Sequence, residues 1–390
     1  MGNEILSASY IIIDVLLLIG VVLGAVFNWV LAVVCAVMFF LYPIPYEAIL
    51  KCIFAILFKI QRTKEQDPQA YQYMDDGNFI VYDPVYDLKA CGLEKKHPFD
   101  ACKYERTMRF LNEYDPKGNW NNYNKTNPPN YSFIYNYTGL LHLILLNYSI
   151  YLSKIAELAV CFIPSSVLRL MLLRRLYYAA QGSIDASELA LKKGFAINLG
   201  GGFHHAHFTG GSGFCFLNDI GLVVKHLRLY HKQLKNIMII DLDAHQGNGH
   251  ARDKMHLRDP NLYIFDAYNK NIFPFDEKAK KAIDKAYTVN RNTNDREYCD
   301  QIKQKMKEID EEFKADFIIY NAGTDILEGD KLGGLNITEQ GIIERDEIVV
   351  EYGLNNKIPI MMVLSGGYQY SNAPLIARSI IHINETFNLK

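Results

Sequence analysis

The seven cysteines of this chain (35, 52, 91, 102, 161, 215 and 299) contain no CxxC pair and no zinc-finger spacing. Such an odd, scattered set excludes a disulfide framework and reads as reduced core thiols in a reducing compartment. Excess charge is lacking too. Against 43 Asp and Glu stand 41 Lys and Arg, a formal −2, so no basic face exists for nucleic acid and no direct nucleic-acid partner is expected. Early charge is nearly absent: Glu4 and Asp14 come first, and the first arginine is Arg62. That excludes a basic-headed cleaved signal and an arginine-rich presequence, and Leu6 stands where an N-myristoyl signal needs Ser or Thr. Repeats and low-complexity tracts are also missing, and 390 residues suffice for one large α/β domain or two small ones.

Residues 15–44 carry no charged side chain at all. As a helix, such a run would measure roughly 45 Å, against a hydrocarbon core of about 30 Å. Residues 1–60 are therefore expected to form an N-terminal membrane anchor that stays, either one long tilted transmembrane helix or a helical hairpin turning near Asn28 and Trp29. Gly20 and Gly24 form a GxxxG, a small-residue face for packing against another helix. Lys51, Lys59, Arg62 and Lys64 all follow the apolar run, which puts the rest of the chain on the cytosolic side, or on the matrix side of a mitochondrial inner membrane. Membrane lipid is thus an expected partner, and a membrane protein complex reached through the N-terminal helices is a second.

A polar linker at residues 61–77 leads into a domain at 78–390. A strand is expected at residues 78–82, a helix from about Pro98, and a loop at 115–130, which is rich in Asn, Pro and Gly. Residues 132–176 are unusually apolar and aromatic and read as core, with part of the stretch forming an apolar rim that touches lipid or an acyl chain. From Phe195 onward, short β-branched or aromatic runs at 195–199, 236–242, 261–266, 316–320 and 359–364 alternate with helical patterns. One such pattern is Tyr298, Ile302, Met306, Ile309 and Phe313, an amphipathic face. Alternation of this kind predicts the α/β class, a doubly wound parallel sheet flanked by helices, with ligands bound beyond the carboxyl ends of the strands.

Every polar cluster of note falls at such an end. Asp243 and His245 leave the run 236–242, and Asp325 follows the run 316–320; two carboxylates and one imidazole with an open position suit a catalytic divalent metal. His204 and His205 follow the Gly200–Gly201–Gly202 run and suit a general base and a general acid held in different protonation states. Asp241 can orient one imidazole and Asn248 the other without adding charge. Gly366 and Gly367 let the Tyr368 hydroxyl swing over the metal as an oxyanion donor.

Six strings built on these residues resemble the histone deacetylase family, and its class IV branch most of all: LEKKHPFDA (93–101), GFAINLGGGFHH (194–205), SGFCFLND (212–219), IIDLDAHQGNGHARD (239–253), YNAGTDILEGDKLGGL (320–335) and SGGYQ (365–369). The resemblance implies an arginase/deacetylase-like α/β fold and metal-dependent hydrolysis of the amide of acyl-lysine side chains on a protein substrate. It implies Zn2+, with Fe2+ as the other working metal, and a structural K+ near Asp241. It also implies that Gly213 lends backbone to the acyl-lysine channel and that Phe214 and Phe273 form its aromatic walls. Class IV relatives favour long acyl chains, which would suit an enzyme tied to a bilayer. The other reading is an accessory subunit of a membrane complex that keeps a deacetylase fold without turnover. A two-metal arginase-like site would need an Asp where Gly247 stands, which leaves one metal.

Overall fold

The computed structural model describes residues 77–89, 92, 94 and 97–389. The expected anchor at 1–60 lies outside the described residues, as does the linker except for Gly77. Among the described residues no helix is long and apolar enough to cross a membrane.

In chain order the elements are β1 (Ile80–Tyr82), α1 (Lys103–Tyr114), β2 (Asn124–Lys125), α2 (Tyr131–Asn136), α3 (Leu140–Leu145), α4 (Ser149–Ala156), α5 (Ser165–Leu168), a π-helical turn at Arg169–Leu173 and α6 (Arg174–Lys193). There follow β3 (Phe195–Asn198), α7 (Asp219–Tyr230), β4 (Ile237–Asp241), α8 (Asn248–Leu257), β5 (Leu262–Asn269), β6 (Lys285–Val289), α9 (Asp295–Glu312), β7 (Phe317–Asn321), α10 (Glu339–Asn355), β8 (Ile360–Val363) and α11 (Asn372–Phe387). The strands make one sheet of eight, in the order β2-β1-β3-β8-β7-β4-β5-β6, and every pairing is parallel.

A parallel sheet covered on both faces needs strands that are apolar on both sides. The central strands meet this by sending alternate residues to two separate cores. Met238, Ile240, Ile318, Tyr320, Ile360 and Met362 pack on one face, and Ile237, Ile239, Phe317, Ile319, Met361 and Val363 on the other. Helix starts are set by side-chain caps. Asn218 accepts from Gly221 N, Asn294 from Glu297 N and Thr338 from Gly341 N. α9 buries Tyr298, Ile302, Met306 and Ile309 as its spacing predicts. α6 stops at Gly194, whose φ of 84° is the left-handed conformation of a helix C-terminus.

Several expectations need correction. The stretch 115–130, read as a loop, contains the short edge strand β2, and the edge strand β6 was not foreseen. Both are poor in the buried apolar residues that announce a strand: β6 alternates half-buried and exposed until Val289. β5 continues to Asn269 rather than ending at 266, and the helix expected from Pro98 begins at Lys103. The apolar stretch 132–176 forms short helices whose Phe133, Ile134, Leu152 and Ile155 are buried, whereas Leu141, Ile150 and Phe162 stay exposed at 68%, 76% and 67%. It supplies both core and apolar surface.

One buried cation ties the sheet together behind its carboxyl edge. Arg345 on α10 is fully buried; its Nη1 donates to Leu242 O at 3.2 Å and Gly323 O at 2.6 Å, and its Nε to Asp346 Oδ1 at 3.0 Å. It thus holds the chain just past β4 to the chain just past β7. Removing one member of a buried ion pair strands the other charge, at a cost of about 3–5 kcal/mol. We expect Arg345→Met to lower unfolding stability by about that amount in a denaturant titration; a loss under about 1 kcal/mol would mean that Asp346 is adequately held without it.

Candidate metal centre and active site

The site is assembled from four strand ends. Asp241 closes β4 in register with Asp266 of β5 and Asn321 of β7. Asp243 and His245 follow β4, and Asp325 follows β7. The loop after β3 brings His204 and His205, and the loop after β8 brings Gly366 and Tyr368. The β3 loop keeps its shape because Gly201 and Gly202 take positive φ (69° and 78°) and the buried Asp219 carboxylate accepts from Gly202 N at 2.9 Å and Phe203 N at 2.8 Å. A Cβ on Gly202 would lie 2.7 Å from the Ser365 backbone, so the two loops meet only through that glycine.

Asp243, His245 and Asp325 come together: one ligand atom from each lies within 4.8 Å of the others, and all three residues are buried. His245 Nδ1 is 2.8 Å from Asp325 Oδ2 and 3.1 Å from Asp243 Oδ1. The other carboxylate oxygens are tethered by backbone, Asp325 Oδ1 by Ala244 N at 2.8 Å and Asp243 Oδ2 by Gly366 N at 2.9 Å. Burial, and then the neighbouring Asp243, push the Asp325 carboxyl up to about 7. Two carboxylates forced together away from water, with one imidazole between them, form an oxygen–nitrogen donor set that fits a divalent ion.

The adjacent histidines lie 4.1 Å apart, ring to ring, yet have different partners. His204 Nδ1 is 2.9 Å from Asp241 Oδ2, and its Nε2 is 3.6 Å from Asp243 Oδ1. Burial opposes its charging, but Asp243 and Asp241 outweigh that and lift it to about 9. His205 Nδ1 is 2.8 Å from Asn248 Oδ1, a neutral acceptor. Burial, and then the charges of His204 and His245, hold His205 well below the ordinary imidazole range. Asn248 Nδ2 faces the Asp276 carboxylate at 3.4 Å, which orients its oxygen toward His205. His205 therefore carries its proton on Nδ1 and leaves the Nε2 lone pair free.

Tyr368 stands with its ring perpendicular to His245, centroids 6.0 Å apart, and its backbone N–H is held by Asp330 Oδ2 at 3.0 Å. Burial, then Asp325 and Asp243, keep its hydroxyl protonated far above the usual tyrosine range. The Phe214 ring is 6.0 Å from Tyr368, and the Phe273 ring, 38% exposed, is 4.9 Å from His205. Gly213 sits between: a Cβ there would meet His205 Cδ2 at 2.6 Å and Phe273 Cε1 at 2.8 Å. All eleven expected residues are thus gathered around one carboxyl-edge site.

Some participants were not anticipated. Lys103 on α1 is completely buried and donates to Ser365 O at 2.6 Å and Gly366 O at 3.1 Å, with Phe99 under its ammonium at 5.0 Å. Burial, opposed by Asp100, Asp243, Asp325 and Asp330, lowers it to about 8. His97 packs edge-on against Phe214 at 4.7 Å. Asp266, buried next to Asp241, has an Oδ1 with no hydrogen-bonding partner among the described residues. The string LEKKHPFDA is a clue to Lys103 only by being close in sequence; no spacing signals a contact with residues 365 and 366.

Two carboxylates and an imidazole converging beside a pair of differently held histidines suit a hydrolase site. A model of the histone deacetylase domain matches residues 156–383. The chain is 39% identical over 313 residues to histone deacetylase 2 of Arabidopsis thaliana, an alignment covering 78% of each chain. It is 32% identical over 210 residues to an uncharacterized protein of a Picosynechococcus species, covering 54% of this chain and 68% of that one. It is 33% identical over 204 residues to histone deacetylase 1 of Homo sapiens, covering 49% of this chain and 40% of the human one. The chain belongs to the histone deacetylase family and is a deacetylase-type hydrolase.

Gly366 provides a test of the donor set. A Cβ at this position would stand 2.5 Å from Asp243 Oδ2 and 2.6 Å from Asp325 Oδ2, and both oxygens are buried. We expect Gly366→Ala to reduce bound metal by one equivalent relative to the parent, as counted by elemental analysis of the folded protein. Undiminished metal would show that the ion is held elsewhere.

Proposed function

We propose that this protein is a membrane-anchored, zinc-dependent lysine deacylase of the class IV branch, hydrolysing the amide of acyl-lysine side chains on a protein substrate. The observation that carries the hydrolytic part is the unequal pairing of the two histidines, His204 with a carboxylate and His205 with a neutral amide, beside Asp243, His245 and Asp325. These three would hold the ion, Zn2+ or Fe2+, which when bound polarises the acyl carbonyl and acidifies water. Gly213 backbone and the Phe214 and Phe273 rings line the way in for the lysine stem. His205 accepts the proton of the attacking water at Nε2 as the water adds to the acyl carbon. The oxyanion that develops receives a hydrogen bond from the Tyr368 hydroxyl, and the His204 cation offsets its charge. His205 then returns its proton to the lysine nitrogen as the C–N bond breaks, releasing the free amine and a carboxylic acid. Asp241, besides orienting His204, together with the unpaired Asp266 Oδ1, supplies acceptors suited to a structural K+.

Membrane attachment rests on the uncharged run at residues 15–44, with the catalytic domain on the cytosolic or matrix side. Exposed Leu141, Ile150 and Phe162 are apolar surface of the kind a nearby bilayer or a fatty-acyl substrate would cover. A membrane protein complex met through the N-terminal segment is the partner this reading allows.

We expect Tyr368→Phe to leave bound metal unchanged while the rate on acyl-lysine peptides falls by on the order of 10²–10³, the cost of losing one oxyanion donor. Peptides from acetyl to myristoyl, with and without chelator, define the acyl preference; no chelator-sensitive release at any length would refute the deacylase reading. Separately, alkaline carbonate extraction should leave the full chain in the membrane pellet, and its release into the supernatant would refute the anchor.

A further inference from the structure

Far from the catalytic residues, a second cluster of ligating side chains lies at the opposite edge of the sheet. α6 runs directly into the start of β3, and α7 ends just before β4, so the C-terminal ends of both helices lie at the amino edge of the strands. There Glu188 of α6 meets His226 of α7 and His231, the residue that caps α7 with φ −122° and ψ 64°. Leaving the helix at His231 turns its ring back toward α6. One Glu188 oxygen, Oε1, is 2.5 Å from His226 Nε2 and 2.6 Å from His231 Nε2. The His226 ring is walled by Phe133 at 5.9 Å and Tyr230 at 4.8 Å, which holds it in place.

We infer that Glu188, His226 and His231 form a second divalent-metal site, of the Zn2+ class, that clamps α6 to the C-terminal end of α7. Two imidazoles and one carboxylate are the donor types that zinc and its first-row neighbours take, in a count that leaves one position for water. Access to that position is from the His231 side: its side chain is 22% exposed, against 2% for His226 and 11% for Glu188. The Glu188 oxygen lies closer to each imidazole nitrogen than the roughly 3.3 Å that tetrahedral bonds of about 2.0–2.1 Å imply. Opening by less than about 1 Å, well within the reach of a side chain beyond the helix end, accommodates the ion. Metal binding would exchange the imidazole Nε2 protons for one ion shared by all three side chains.

The test counts metal. Full-length protein is stripped with chelator, dialysed against Co2+ and analysed for bound cobalt, together with His226→Gln and His231→Gln. Glutamine still offers Glu188 an N–H donor, so the hydrogen-bonded cluster survives, but it is a poor ligand. Each variant, with circular dichroism matching the parent, is expected to bind one equivalent less, and cobalt should raise the parent's Tm more than theirs. Equal cobalt in the parent and both folded variants would overturn the inference. Should the variants not fold, X-ray absorption at the cobalt edge of Gly366→Ala protein decides instead. That protein lacks the equivalent assigned to Asp243, His245 and Asp325. A remaining ion with two imidazoles and a carboxylate supports the second site; an all-oxygen shell, or no remaining cobalt, refutes it. Failure here leaves the catalytic reading intact, because the two equivalents are lost in different variants.

Discussion

Keeping Asp243 and Asp325 side by side, out of water, is the constraint on which the other features of this molecule depend. Two buried like charges cost many kcal/mol unless something compensates them. Each strand end contributes part of the compensation. Ala244 N and Gly366 N hold one oxygen of each carboxylate, and His245 Nδ1 lies between the other two. Behind them Arg345 grips Leu242 O and Gly323 O, so that the loops carrying the two acids cannot drift apart. In front, Lys103 holds the carbonyls of Ser365 and Gly366, the loop that presses Gly366 onto both acids.

The same principle, position determining protonation, separates two histidines that are neighbours in sequence. A carboxylate on His204 and an amide on His205 are small differences in composition, but in a buried site they push the two rings in opposite directions. His204 is thereby raised and His205 lowered from the ordinary imidazole range. Asp276 contributes from further out: by taking the Asn248 amide nitrogen it settles which end of the amide His205 sees. The difference between the two rings is therefore set by at least three further side chains, Asp241, Asn248 and Asp276.

The sequence made the catalytic edge of the sheet legible because its requirements are local. β4 and β7 announce themselves as apolar runs, and the polar residues that follow at once must lie at a strand end, where a parallel sheet binds its ligands. The edge strands β2 and β6 escaped because one short strand of Asn124 and Lys125 and one half-exposed strand have no buried pattern to read. Lys103 escaped for a different reason. A lysine on an amphipathic helix usually faces solvent, and only the packing of α1 against α11 and the β8 loop turns this one inward. Glu188, His226 and His231 have no shared motif; what unites them is the way two helices end at the same edge, which is a property of topology and not of spacing.

Close packing around Gly213 and Phe214 depends on two residues in left-handed backbone. Gly213 occupies left-handed backbone, φ 51°, so close to His205 and Phe273 that a side chain at this position would collide with both rings. Phe214, also left-handed at φ 64°, is thereby turned toward Tyr368 and His97. A non-glycine residue in that conformation is costly, and the cost is sustained by ring packing on both of its neighbours. Aromatic rings of this kind attract a methylene chain by dispersion and burial.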